Sequence, residues 1–205
     1  SLPLLPGVIS FWIVGFSDRV ILTYFDMADE AGILSLAAQI SLFLYITQDA
    51  LTQVNTPMFM RNCEKNLISA KKMQSEFLLS VTLVMSIVYI LICTFGREVI
   101  FIISPQQYHD AYKVIFIVAL VHLFRGWYRV FAVMLSYKNA VWLLTVAAVI
   151  QTIISVSSNF FLIPKFGAVG AALSAAFGVF IYFAWIYYWA QKIEPIFVPK
   201  KKILF

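Results

Sequence analysis

The nineteen residues "FLLSVTLVMSIVYILICTF" (Phe77–Phe95) decide the fold. They contain no charge and show no polar–apolar alternation. An uninterrupted apolar run of roughly this length, coiled as a helix, crosses a hydrocarbon core of about 30 Å. Lipid offers no partner for backbone N–H and C=O groups, so only helices and closed barrels survive there. A barrel strand alternates, and this run does not. Comparable runs recur along the chain, Val141–Ile163 among them.

The whole chain repeats this pattern. Of 205 residues, 62% are hydrophobic and only 12% charged, with a mean hydropathy of +0.89. A soluble domain carries about twice that share of charge. We therefore expect an all-α, polytopic membrane protein with six transmembrane helices in a single membrane domain, residues 1–205. The expected spans are Leu4–Phe25, opened by Pro3 and Pro6, then Ala31–Thr56, stopped by Pro57, and Phe77–Phe95. Three more follow at Ala111–Leu135, Val141–Ile163 and Ala168–Ala190. Between the second and third lies "RNCEKNLISAKKMQSE" (Arg61–Glu76), read as a linker helix lying in the interface. The first residues already belong to a spanning helix and no leader pattern precedes them, so the chain is expected to begin within a longer protein.

Charge placement orients the bundle. On one side fall Arg61, Lys65, Lys71, Lys72, Lys138, Lys192, Lys200, Lys201 and Lys202; on the other, Arg97, Lys113 and Lys165, with the acidic "DMADE" (Asp26–Glu30). The excess of Lys and Arg marks the cytoplasmic side. The 61–76 linker and the 191–205 tail are thus expected in the cytoplasm. The net charge of +5 is accounted for by topology and does not call for nucleic acid. Cys63 and Cys93 have no metal-ligand spacing, and nothing calls for a metal or cofactor.

The remaining three basic residues, Arg19, Arg125 and Arg129, lie inside expected spans. A charge near mid-bilayer costs at least ~2.5–3.5 kcal/mol on insertion scales, so such groups face a bundle interior or a wet cavity. In "VHLFRGWYR", His122, Arg125 and Arg129 share one helical face. At 1.5 Å per residue Arg125 lies roughly 20 Å in from the span's outer start. Two guanidinium forks on one face suit a phosphate-bearing substrate. Other readings stand beside this one: Arg129 within snorkelling reach of the interface, Arg125 in an intra-bundle pair, His122 as a hydrogen-bonded helix contact.

Asp18 and Arg19 point about 100° apart on a helix, so each needs a partner on another span. A structural ion pair and a coupling-ion site are both open for Asp18. Gln48, Thr52 and Asn55 form a polar stripe with Asp49 and Gln53 beside it, read as cross-helix bonding or a cavity wall. Asp49 is open in the same way as Asp18. Gln151 and Asn159 read as the stripe does, and Gly170, Ser174 and Gly178 make a close-packing seam.

The run "SDRVILTYFDMADEAGILSLAAQI" (Ser17–Ile40) resembles the Asp-Arg-containing seventh helix of Wzx-type oligosaccharide flippases and the Gly-x-x-Ser-x-Ala opening of their eighth. The stretch "NFFLIPKFGAVGAALSAAFG" (Asn159–Gly178) is similar to the C-terminal half of these members of the MATE-like exporter superfamily. The resemblance covers nearly the whole chain. It implies the C-terminal lobe of a two-lobe, alternating-access transporter of polysaccharide and O-antigen biosynthesis. The substrate implied is an undecaprenyl-pyrophosphate-linked oligosaccharide, carried across the bacterial plasma membrane, with no bond made or broken. Arg19, Arg125, Arg129 and His122 would contact substrate, and the missing N-terminal lobe of the same chain would complete the cavity. Peptidoglycan-precursor flippases and drug/cation antiporters are the neighbouring alternatives, with a six-helix homodimer behind them. A membrane enzyme acting on polyprenyl-linked glycans is the remote one. Its only loop candidates are Tyr108, His109 and Asp110.

Overall fold

The computed structural model describes residues 5–196, and no strand occurs among them. The tail lysines 200–202 and the opening Pro3 lie outside the described residues. Five helices are long and apolar enough to cross a membrane: α1 (Leu5–Tyr24), α2 (Ala28–Lys65), α3 (Leu67–Ile103), α4 (Tyr112–Tyr137) and α5 (Trp142–Ile193). A short 3-10 turn, Gln106–Ala111, links α3 to α4.

The apolar side chains divide between a packed core and an outer face. Leu22, Leu44, Phe59, Met85, Ile163 and Ile186 are fully buried, while Trp12, Phe43, Ile102 and Phe161 stand out at 65, 68, 82 and 75% exposure. Large apolar groups that open would drive a soluble protein to aggregate. Against acyl chains they cost nothing.

Two boundaries differ from the sequence reading. Pro57 does not stop the second helix, which runs on to Lys65. The Thr52 and Thr56 hydroxyls bond the carbonyls of Gln48 and Thr52 at 2.8 and 2.9 Å. A proline withdraws only the bond to the carbonyl four residues back, and Pro57 lies on an exposed face of α2, where the helix carries it. Nor is residues 61–76 a separate linker helix. The chain breaks only at Asn66, in extended conformation. The Asn66 side chain caps α3 by accepting from the N–H of Ile68 and Ser69 at 2.9 and 3.3 Å. At 1.5 Å per residue α3 is about 55 Å long, nearly twice the bilayer core. The charged residues therefore occupy helix ends that outrun the apolar slab.

α5 has 52 residues but does not run straight. Gly167 sits at φ 54°, ψ −130° within it, three residues after Pro164. There the chain reverses: a Cβ on Gly170 would collide with the Leu162 carbonyl, and one on Gly178 would meet Ser155 Cβ at 3.2 Å. The two arms of α5 consequently lie side by side. Glu30, at the start of α2, accepts the Ala168 N–H at 2.9 Å and caps the second arm.

At the opposite end of the bundle Glu194 takes both Lys138, at 2.8 Å, and Lys71. This cluster joins the end of α5, the α4–α5 turn and the start of α3. The Lys138 ammonium, and behind it Lys71, hold the Glu194 carboxyl below its ordinary 4.5. A carboxyl lowered in this way stabilises the fold above its unfolded pKa, and the contribution is lost as pH falls through the native value. Thermal unfolding of the detergent-solubilised protein should hold steady above about pH 4.5 and weaken below it. Glu194→Gln should remove that part of the acid sensitivity.

Candidate functional site

A cavity of ≈ 210 Å³ opens between α1, α2, α4 and the second arm of α5. Its walls are small or aliphatic, among them Val14, Ala38 and Ala172, and its polar groups are Asp18, Arg19, His122 and Arg125. Four of the six residues singled out from the sequence therefore converge. The small side chains leave the space, and the one-turn spacing of His122 and Arg125 on α4 puts both at it.

Each polar group is held differently. Asp18 Oδ1 accepts from Asn159 Nδ2 at 2.6 Å, tying α1 to the first arm of α5. Arg19 donates through Nε to Ser35 Oγ on α2 at 3.0 Å. The partners that Asp18 and Arg19 require thus do come from other helices, although Asp18 does not form an ion pair with Arg125. His122 is 8% exposed, with the Tyr45 ring against it at 6.1 Å and its Nδ1 unpartnered. Arg125, half-buried, makes no hydrogen bond or ion pair among the described residues. Counting His122 neutral, the two guanidinium groups and one carboxylate leave the cavity one positive charge in excess.

Arg129 does not line this cavity. Its Nη1 donates to Asp49 Oδ1 at 2.8 Å in a salt bridge between α4 and α2, and Gln53 Nε2 donates to the other Asp49 oxygen at 2.6 Å. The Gln48 amide, in the orientation that satisfies both of its ends, accepts from Arg129 Nε at 2.9 Å and donates to the His122 carbonyl at 3.2 Å. Arg129 is neutralised where it stands, and Asp49 is the neutralising group. The α2 stripe continues in Asn55, which donates to Gln74 Oε1 at 3.1 Å; Gln74 in turn donates to the Val130 carbonyl at 2.8 Å.

Gln74, Ser35 and Glu30 were not among the residues picked from sequence. Gln74 was hidden in the supposed linker, and the Asn66 cap was the signal that could have found it. The three connector residues point apart. Tyr108 packs on Gly32, His109 meets the Phe101 ring edge-on at 4.1 Å, and Asp110 pairs with Lys113 at 2.9 Å. No group of three or more His, Cys, Asp or Glu suited to a metal ion occurs among the described residues. No family model, no curated protein and no solved structure matches this chain.

Proposed function

We propose that the chain is one lobe of an alternating-access flippase that carries an undecaprenyl-pyrophosphate-linked oligosaccharide across the bacterial plasma membrane. The observation that carries this reading is Arg125. It is a permanently charged group on a membrane helix, lining a cavity, and no carboxylate among the described residues forms a salt bridge with it. A guanidinium among apolar helices without a salt-bridge partner is costly, and the one carboxylate of the cavity, Asp18, balances only one of its two guanidinium groups. Phosphate oxygens match the guanidinium fork, and Arg19 lines the same cavity. At ≈ 210 Å³ the space is smaller than the ~300–1,000 Å³ of pockets that enclose drug-sized ligands. It suits a phosphate headgroup and leaves the glycan to whatever faces this lobe.

In this reading α5 crosses twice, its reversal at Gly167 lying at one membrane face, so five helices make six crossings. The end bearing Lys71, Lys138 and Lys192 faces the cytoplasm, in keeping with the distribution of Lys and Arg. Substrate phosphate is held near the midplane while the lobe rocks against its counterpart, as midplane sites in two-lobe transporters require. Arg129, already paired with Asp49, fixes α4 against α2 and leaves Arg19 and Arg125 to meet the anion.

Asp18 in the same cavity favours a second reading, export of an organic cation in exchange for another ion. Two variants of the full-length protein separate them in cells lacking the endogenous transporter. Under the flippase reading Arg125→Ala lowers glycan export at least tenfold at unchanged membrane abundance, and Arg125→Lys restores only part of it. Export retained by Arg125→Ala, with cation export lost in Asp18→Asn, would give the second reading.

A further inference from the structure

Five buried side-chain atoms lack a hydrogen-bond partner among the described residues: His122 Nδ1, Asn159 Oδ1, Ser155 Oγ, Gln151 Nε2 and Trp185 Nε1. They are not scattered. His122 lines the cavity, and Asn159 is the residue that donates to Asp18. Asn159, Ser155 and Gln151 follow one another at intervals of four along the first arm of α5, at 0, 0 and 2% exposure. All three therefore lie on one stripe of that arm. Gly178 of the second arm packs directly on Ser155 and Gln151, so this stripe is the seam between the arms. Trp185 lies seven residues beyond Gly178. Two helical turns bring it back to the same face, further along the same seam.

We infer that the seam between the two arms of α5 binds a file of ordered water continuous with the Asp18 cavity. A buried polar atom left bare costs its full desolvation penalty, and several together on one seam would be hard for the fold to tolerate. Residues four apart rise about 6 Å. Although such side chains can pair directly, as Gln53 and Asp49 do at 2.6 Å, the Asn159, Ser155 and Gln151 atoms named above stay unpartnered among the described residues. One water making two hydrogen bonds of ~2.8–3.0 Å can bridge neighbouring positions at that spacing. Hydroxyl, amide and indole N–H supply the donors and acceptors that an internal water needs. From Asn159 to Gln151 the file extends the cavity by about 12 Å along α5. This inference is independent of what the cavity carries.

The test is hydroxyl-radical labelling by a short X-ray pulse of the full-length protein in lipid nanodiscs, read by mass spectrometry. The radicals come from water, so Trp185, half-buried with its Nε1 enclosed and the rest of its ring against lipid in this reading, is labelled only where water is bound beside it. Trp185 should be modified in the wild type, and Ser155→Leu, which fills the seam, should cut that labelling at least fivefold. Ser155→Thr keeps the hydroxyl and should leave the labelling near wild type, as should Trp142, far from the filled position, in every variant. Absence of Trp185 labelling in the wild type would overturn the inference, and so would equal labelling in Ser155→Leu. Should Ser155→Leu fail to fold, a high-resolution density map of the wild type decides. Water within hydrogen-bond distance of Ser155 Oγ and Gln151 Nε2 supports the file, and a dry seam sinks it.

Discussion

Replacing Gly167 by alanine is expected to destabilise the protein by about 2–4 kcal/mol, the first of the two largest effects anticipated. Gly167 has φ 54° and ψ −130°, a backbone state that side chains with a Cβ seldom adopt and that costs ~1–3 kcal/mol where it is forced. The added Cβ would also lie 2.8 Å from Glu30 Cδ. The Glu30 carboxylate would have to move, and in moving it would release the Ala168 N–H that it caps. Loss of a helix cap adds roughly 0.5–2 kcal/mol. Glu30→Ala removes the cap without the backbone strain, so its cost should be about 1 kcal/mol and well below that of Gly167→Ala. Detergent-induced unfolding of both variants measures the difference. Equal costs would mean that the reversal does not depend on the left-handed geometry of Gly167.

That reversal was readable from "IPKFG", because proline followed closely by glycine is what a helix end requires. The apolar runs were equally readable, since a helix in lipid can hide its charges only at its ends or inside a bundle. The limits of α2 and α3 were not. Pro57 looks like a terminator, yet α2 continues through it to Lys65. The charges between Arg61 and Glu76 look like a loop, yet they decorate two helices that continue beyond the apolar slab.

The site divides in the same way. Helical spacing alone put His122, Arg125 and Arg129 on one face; the first two line the cavity, and Arg129 pairs with Asp49 away from it. Spacing could not choose partners. Asp18 is held by Asn159, 141 residues away, and Arg129 by Asp49, 80 residues away. Such choices depend on how helices are rotated against one another, which apolar runs with little amphipathic asymmetry leave almost unspecified. A span that is apolar all round can present any face to its neighbours. The buried polar side chains, few and specific, set the rotation.

Gln74→Leu tests that statement and is the second large expected effect. The Gln74 side chain is fully buried and joins three helices, accepting from Asn55 on α2 and donating to Val130 on α4. Leucine fills nearly the same volume, so cavity formation contributes little. What remains is the orphaned amide of Asn55, at ~1–3 kcal/mol, and the lost tie to Val130, at ~0.6–1.7 kcal/mol inside a membrane bundle. The expected sum is about 2–3 kcal/mol of unfolding free energy. Asn55→Leu alone should cost less, because the orphaned Gln74 oxygen keeps its neighbour's bond to Val130 in place. The double variant should be no worse than Gln74→Leu, since with both partners apolar no donor is left bare. If residues 61–76 formed a linker on the membrane surface, Gln74→Leu would change stability by less than about 0.5 kcal/mol. A measured loss that small would separate α3 from α2 and α4 at this level, and with it the rotation of α4 that presents His122 and Arg125 to the cavity.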